Sequence, residues 1–273
     1  VNYRHAFHAG NFADLLKHAA LLILLQDLQR PGAPLTVLDT HAGRGLYDLA
    51  GEDARRSGEA EAGILRLMSS PDAPAAFAPL KAAVSALNGA GPVRRYPGSP
   101  WLIAERLRPG DRYLACELNP AEHAALKRAL AGHKAVEPLC ADGFAAAPQR
   151  APAKGPALVL IDPPFEKPDD YRRSAQASGE ILARNPAAVV AIWLPLKDLE
   201  TFDAFLRELE AATDALALIA EARLRPLSDP MKMNGCAMVV LNPPPGLEAP
   251  LAEACAWLAA TAGEGGLGKV WRL

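Results

Sequence analysis

Cysteine is scarce and poorly placed for either of its structural uses. Cys116, Cys140, Cys236 and Cys255 are the only four in 273 residues, and no two form a CxxC pair. That spacing speaks against a zinc cage and against a dense disulfide framework, and a reducing, cytoplasmic setting fits best. The sequence also lacks any run of about 18 apolar residues, the length needed to span a bilayer. Arg4, His5 and His8 stand where a signal peptide would need an apolar core, so neither membrane insertion nor export is expected. No charge sign dominates: 29 Lys and Arg against 31 Asp and Glu leave a formal −2. Bulk electrostatics therefore do not hold a nucleic acid, and any such contact must be local. There is no internal repeat or low-complexity linker, and no obligate protein partner is evident. What remains is a chain that is 50% hydrophobic and 22% charged, which excludes disorder and provides for a sizeable core.

Short aliphatic runs recur, each closing in a polar or Gly/Pro turn: Leu35 to Leu38, Tyr113 to Cys116 and Leu158 to Ile161, then Ala188 to Leu194, Ala215 to Ala222 and Cys236 to Leu241. Such runs read as strands buried on both faces. Between them lie amphipathic stretches such as Pro120 to Leu130 and Leu199 to Thr213 that suit helices packed on a sheet. The alternation predicts an α/β fold in a single domain, residues 1–273. Residues 51–95 break the alternation, with helical spacing at Ile64, Leu65, Leu67 and Met68 and again at Leu80, Val84 and Leu87, and are expected to form a small helical insertion.

Ligands of open parallel sheets sit beyond the carboxyl ends of the strands, and four of these ends carry an acid. The first is Asp39-Thr-His-Ala-Gly-Arg-Gly45, whose glycines let a ligand approach the backbone. Asp48 occupies the third-glycine position of a dinucleotide fingerprint, which disfavours a nicotinamide or flavin. The second is Glu117, able to accept hydrogen bonds from both hydroxyls of a ribose or simply to begin a helix. The third is Asp142-Gly143, an ordinary turn pair whose carboxylate can also accept from an adenine amino group. Together these form an adenosine-shaped pattern.

The fourth is Asp162-Pro-Pro-Phe165. A planar exocyclic amine shares its lone pair with its ring and becomes nucleophilic only when acceptors hold its hydrogens. The Asp162 carboxylate and Pro163 carbonyl are suited to that task, and Phe165 can stack on the base; the same residues can also be a proline-stiffened strand exit. Asn242-Pro-Pro-Pro245 resembles this turn but has no aromatic face, follows the last evident strand, and is read as structural. At the N-terminus, His5-x-x-His8 lacks acidic or Cys partners, so no metal is expected. Asn11 and Asp14 read as a helix cap and first-turn acid, followed by a core face containing Leu15, Leu16, Ala19 and Leu22, with Lys17 and His18 expected exposed at one side.

The blocks Tyr3-Arg-His-Ala-Phe-His-Ala-Gly-Asn11, Ala13-Asp14, Leu16-Lys-His18, Leu38-Asp-Thr-His-Ala-Gly43, Tyr96-Pro-Gly-Ser-Pro100, Ala141-Asp-Gly-Phe144 and Ile161-Asp-Pro-Pro-Phe-Glu166 resemble the ribosomal RNA large-subunit methyltransferase J family. The similarity extends through Asn242-Pro-Pro to Trp257-Leu258, nearly the whole chain. It implies a Rossmann-like, class I S-adenosylmethionine-dependent methyltransferase fold with a helical insertion, and N6-methylation of an adenine in large-subunit (23S) ribosomal RNA. Carried over by motif, His18, His41, Ser99, Glu117, Asp142, Gly143 and Asp162 would line the cofactor site, Asp162 would be the catalytic acceptor, and Tyr3 would contact RNA. Phe165 stands where the family often has Tyr, and Arg44 where it has a small residue. The turn chemistry alone leaves open cytosine N4, a DNA adenine, or a catalytically silent RNA-binding protein on the same fold.

Overall fold

The computed structural model describes residues 8–30, 32–51, 56–229 and 231–273; Tyr3, Arg4 and His5 lie outside them. The first helix among the described residues is α1 (Phe12–Gln29), capped by the Asn11 side chain, which accepts from the Ala13 and Asp14 N–H groups. Among the described residues ten strands follow: β1 (Thr36–Asp39), β2 (Leu46–Asp48), β3 (Arg95–Pro97), β4 (Arg112–Cys116), β5 (Val136–Leu139), β6 (Ala157–Ile161), β7 (Val189–Leu196), β8 (Ala217–Arg223), β9 (Gly235–Leu241) and β10 (Leu267–Arg272). Eight of them form one sheet in the order β10-β8-β9-β7-β6-β1-β4-β5. From β5 to β7 all neighbours are parallel, whereas β9 runs antiparallel between β7 and β8, and β10 antiparallel to β8.

This is the doubly wound, Rossmann-like class I methyltransferase arrangement implied by the sequence resemblance, with its reversed strand near one edge. The aliphatic runs form the strands because burial on both faces removes any need for polar alternation: every residue of β6 and of β9 is buried. One face of the sheet carries α1 and the helices Ser99–Ala104 and Glu248–Ala262; the other carries Gly143–Arg150, Asp170–Arg184 and Leu199–Ala212. β2 and β3 form a separate antiparallel pair. Between them lie a π-helical turn, Glu61–Leu65, and the helices Arg66–Ser69 and Ala78–Asn88.

Two sequence expectations are corrected. Lys17 and His18 are not exposed but 5% and 1% accessible, because α1 is covered both by the sheet and by the Glu248–Ala262 helix. The run ending at Leu241 is not the last strand, since β10 follows it. Asn242 nevertheless lies well away from the expected crevice: Leu241 pairs with Val190 at the start of β7, which puts Asn242 at the edge opposite the carboxyl ends of the parallel strands. Its amide donates to the Pro186 and Ala188 carbonyls, both at 2.9 Å. Among the described residues, no helix is long and apolar enough to cross a membrane.

Candidate active site

Asp39, Glu117, Asp142 and Asp162 end or follow β1, β4, β5 and β6, four neighbouring parallel strands, so all four carboxylates gather along one edge of the sheet. The chain order reverses between β1 and β6, which opens a crevice there.

Glu117 faces the glycine loop. Its Oε2 accepts the Gly43 N–H at 3.0 Å and its Oε1 the Asn119 N–H at 2.7 Å. Burial raises its carboxyl above the ordinary range, with the two N–H groups working against that rise. Each carboxylate oxygen has more than one lone-pair direction, so capacity remains for hydroxyl donors. The loop carries Gly43 and Gly45 at φ 66° and 87°, a region costly for a side chain with a Cβ. Arg44 between them forks onto Glu122, Nε to Oε2 at 2.9 Å and Nη2 to Oε1 at 2.7 Å.

Asp142 caps the helix Gly143–Arg150 through the Phe144 N–H and pairs with Arg173. Burial acts to raise its pKa, but the Arg173 guanidinium outweighs it and holds the group below the usual carboxylate range. Arg173 also lies over the Phe144 ring, 4.4 Å from its centre. Gly143 lets this helix approach β1, since a Cβ there would fall 2.0 Å from the Thr40 carbonyl oxygen. His41 sets its ring edge-on to Phe144 at 4.7 Å, and burial lowers its pKa to about 3, so the imidazole is neutral.

Asp39 is 1% exposed. It accepts from the Ser99 hydroxyl at 2.8 Å, the Tyr113 hydroxyl at 3.3 Å and the His41 N–H at 3.2 Å. Burial raises its pKa to about 6 despite the Ser99 and His41 bonds. An acid whose folded pKa exceeds its unfolded value stabilises the fold fully below the unfolded pKa, and that contribution is lost as pH rises through about 6. Asp39→Asn, which does not titrate, is therefore expected to gain in melting temperature relative to the wild type between pH 4.5 and 7.5. A difference independent of pH would show that Asp39 does not titrate as its surroundings imply.

The Tyr96-Pro-Gly-Ser-Pro100 block closes the same edge. Tyr96 OH lies 2.7 Å from His18 Nδ1, and the Gly98 N–H donates to the Gly45 carbonyl at 2.8 Å. With the Ser99 bond to Asp39, this one short segment touches α1, the glycine loop and β1.

Asp162 is held from α1. The Lys17 ammonium lies 2.6 Å from Asp162 Oδ2 and 2.8 Å from Asp14 Oδ1, with side-chain exposures of 6% for Lys17, 15% for Asp162 and 3% for Asp14. Burial favours the neutral amine, but the two carboxylates outweigh it and the Lys17 pKa is raised well above its ordinary value. Asp162 is thus fixed through one oxygen by a permanent cation while part of its surface stays accessible. Three residues on, Phe165 adopts φ 50°, a strained value for a bulky side chain. Its ring is 7% exposed and packs on Tyr171 at 4.6 Å and Trp193 at 5.9 Å; stacking on a base requires it to turn from this cluster.

The structure therefore brings together His18, His41, Ser99, Glu117, Asp142, Gly143, Asp162, Pro163 and Phe165 along one edge with the strand-end Asp39 and with Lys17, and adds Asp14, Tyr96 and Arg173 to them. Lys17 carried a signal, its i,i+3 spacing from Asp14 on an otherwise apolar helix; Arg173 carried none. Tyr3 falls outside the described residues. Among those described, no cluster of three or more His, Cys, Asp or Glu side chains is arranged to hold a metal ion.

A family model described as ribosomal RNA large subunit methyltransferase D, RlmJ, matches residues 32–273. Ribosomal RNA large subunit methyltransferase J of Haemophilus influenzae is 37% identical over 263 residues, covering 96% of this chain and 94% of that protein. The Escherichia coli protein of the same name is 35% identical over 263 residues, covering 94% and 92%. A crystal structure of a Legionella pneumophila protein superimposes with a TM-score of 0.87 at 27% identity, covering 97% of this chain and 98% of that one.

Proposed function

Since the chain belongs to the ribosomal RNA large subunit methyltransferase J family, we propose that it methylates the exocyclic N6 of an adenine in large-subunit (23S) ribosomal RNA, with Asp162 as the acceptor that activates the amine. It is an S-adenosylmethionine-dependent rRNA methyltransferase. We read residues 51–95 as an insertion within one methyltransferase domain, and the cytoplasm as its setting. The observation that carries the catalytic reading is the Lys17–Asp162 pair at the carboxyl end of β6.

The donor set suits the cofactor. Glu117 offers carboxylate oxygens for the two ribose hydroxyls, and Asp142 an acceptor for the adenine amino group. His18, His41, Ser99 and Gly143 border the same space. S-adenosylmethionine supplies an electrophilic methyl group carried on a sulfonium.

The protein's own part is to make a poor nucleophile attack. The adenine amine is planar because its lone pair is delocalised into the ring. Acceptance of its two hydrogens by Asp162 and the Pro163 carbonyl localises the lone pair and directs it at the methyl carbon. Lys17 holds one oxygen of Asp162 in place, so the acceptor is oriented before the base arrives. A base inside a helix cannot reach this turn and must leave its stack; Phe165 offers a ring face once it leaves its cluster. Tyr3 and the residues around it are proposed to cover the extruded nucleotide.

The reading is tested by incubating large-subunit rRNA with the protein and isotopically labelled cofactor, then digesting it to nucleosides for mass spectrometry. Label in N6-methyladenosine is expected. Label confined to N4-methylcytidine, or none in RNA, would overturn the reading.

A further inference from the structure

The segment from Gly58 to Leu65 touches the start of α1 at every level of its structure. Gly63 has no room for a side chain, since a Cβ would fall 2.0 Å from the Gly10 carbonyl oxygen. That carbonyl accepts the Ile64 N–H at 2.8 Å. Gly10 in turn has φ 78°, and a Cβ on it would meet the Ile64 side chain at 2.7 Å. Two glycines thus bring the backbones into direct contact.

Glu59 adds the polar half of the joint. Its Oε2 accepts from Asn11 Nδ2 at 2.9 Å, and its carboxylate meets His8 Nδ1 at 2.9 and 3.0 Å. Asn11 spends its other amide atom, Oδ1, on the Ala13 and Asp14 N–H groups at 3.0 Å each. The Gly10 N–H donates to Asp14 Oδ2 at 2.9 Å, Asp14 Oδ1 lies 2.8 Å from Lys17 Nζ, and Lys17 Nζ lies 2.6 Å from Asp162 Oδ2. The connection from Glu59 to Asp162 is thus made of short polar contacts and one helix cap.

We propose that Glu59, in the helical insertion, is a positioning residue for methyl transfer: it fixes Asn11, next to the Gly10 backbone that Gly63 and Ile64 hold, so that the Gly10 N–H orients Asp14, which sets Lys17 and through it the rotation of Asp162. The proposal rests on the methyltransferase reading and gives the insertion a part in catalysis. The physical case is one of constraint. Asp14 and Lys17 are buried, and Asp14 takes the Gly10 N–H at the point where the cap meets the insertion. An error of about 1 Å in a reacting group is enough to slow a reaction severely.

The test exchanges donor and acceptor. Asn11→Asp keeps the oxygen that caps α1, since Asp and Asn cap helices about equally well, but turns a second oxygen toward Glu59 in place of the NH2 donor. Full-length protein is loaded with S-adenosylmethionine and mixed with in vitro transcribed large-subunit rRNA. Single-turnover transfer, calorimetric affinity for S-adenosylhomocysteine and thermal melting are then measured. Asn11→Asp is expected to slow transfer about tenfold, with cofactor affinity within about twofold of wild type. Combining Asn11→Asp with Glu59→Gln restores one donor and one acceptor, and should recover transfer to within about threefold of wild type. Glu59→Ala, which keeps Asn11 intact, should be slowed like Asn11→Asp. The proposal is overturned if Asn11→Asp or Glu59→Ala transfers at the wild-type rate, or if the double variant is no faster than Asn11→Asp alone. Wild-type transfer to RNA tests the methyltransferase reading, whereas the ranking of the variants tests Glu59, so the two fail separately.

Discussion

Asp162→Ala is expected to lower single-turnover methyl transfer on the order of 10³-fold, the scale of losing a group that hydrogen-bonds the reacting atom, and to leave the protein folded. The fold survives because the carboxylate lies at the accessible end of β6, with 15% of its side chain exposed, and because Lys17 keeps its second partner, Asp14. No uncompensated buried charge results. The control is Asn242→Ala, in the turn of similar sequence. Asn242 holds φ 52° and donates to two carbonyls across the start of β7. Its loss should cost about 1–3 kcal/mol of stability with transfer nearly unchanged. Full transfer by Asp162→Ala, or a larger loss in Asn242→Ala, would show that the wrong proline turn has been assigned to the chemistry.

Why the two turns were separable in advance, and other features were not, follows from which interactions are local. The parallel strands announce themselves because a strand covered on both faces must be apolar throughout, as in Ala157–Ile161. β10 has no such pattern; its residues alternate in exposure at the sheet edge. β2 and β3 are three residues each, too short for any period. The strand-end acids were legible because a parallel sheet converts position after a strand into position on one edge. What their side chains meet was less so. Ser99 bonds Asp39 across 60 residues, Arg173 reaches Asp142 across 31, and Lys17 meets Asp162 across 145. The positions expected to be exposed, Lys17 and His18, are buried for the same reason: periodicity marks an apolar face but not a second partner for the polar one. The Tyr96-Pro-Gly-Ser-Pro100 block stood out as a motif without a mechanism. In the fold, Tyr96, Gly98 and Ser99 each bond a different part of the site.

Lys17→Met should be the second most damaging substitution, and through a different route. The ammonium sits between Asp14 and Asp162, both within 2.8 Å. Methionine fills much of its volume without the charge, leaving two carboxylates facing each other where one, Asp14, is 3% exposed. Removing one partner of a buried pair costs about 3–5 kcal/mol, so a fall in melting temperature is expected together with a loss of transfer on the order of 10²-fold. The two effects can be separated. Lys17→Met combined with Asp14→Asn removes the two facing carboxylates' mutual repulsion and should recover much of the stability. Transfer should remain slow, because the cation that orients Asp162 is gone. Lys17→Arg retains the cation and is expected to be the least impaired of the set. If the double variant regained transfer together with stability, Lys17 would be serving the fold alone, and the orientation of Asp162 would have to come from elsewhere in the turn.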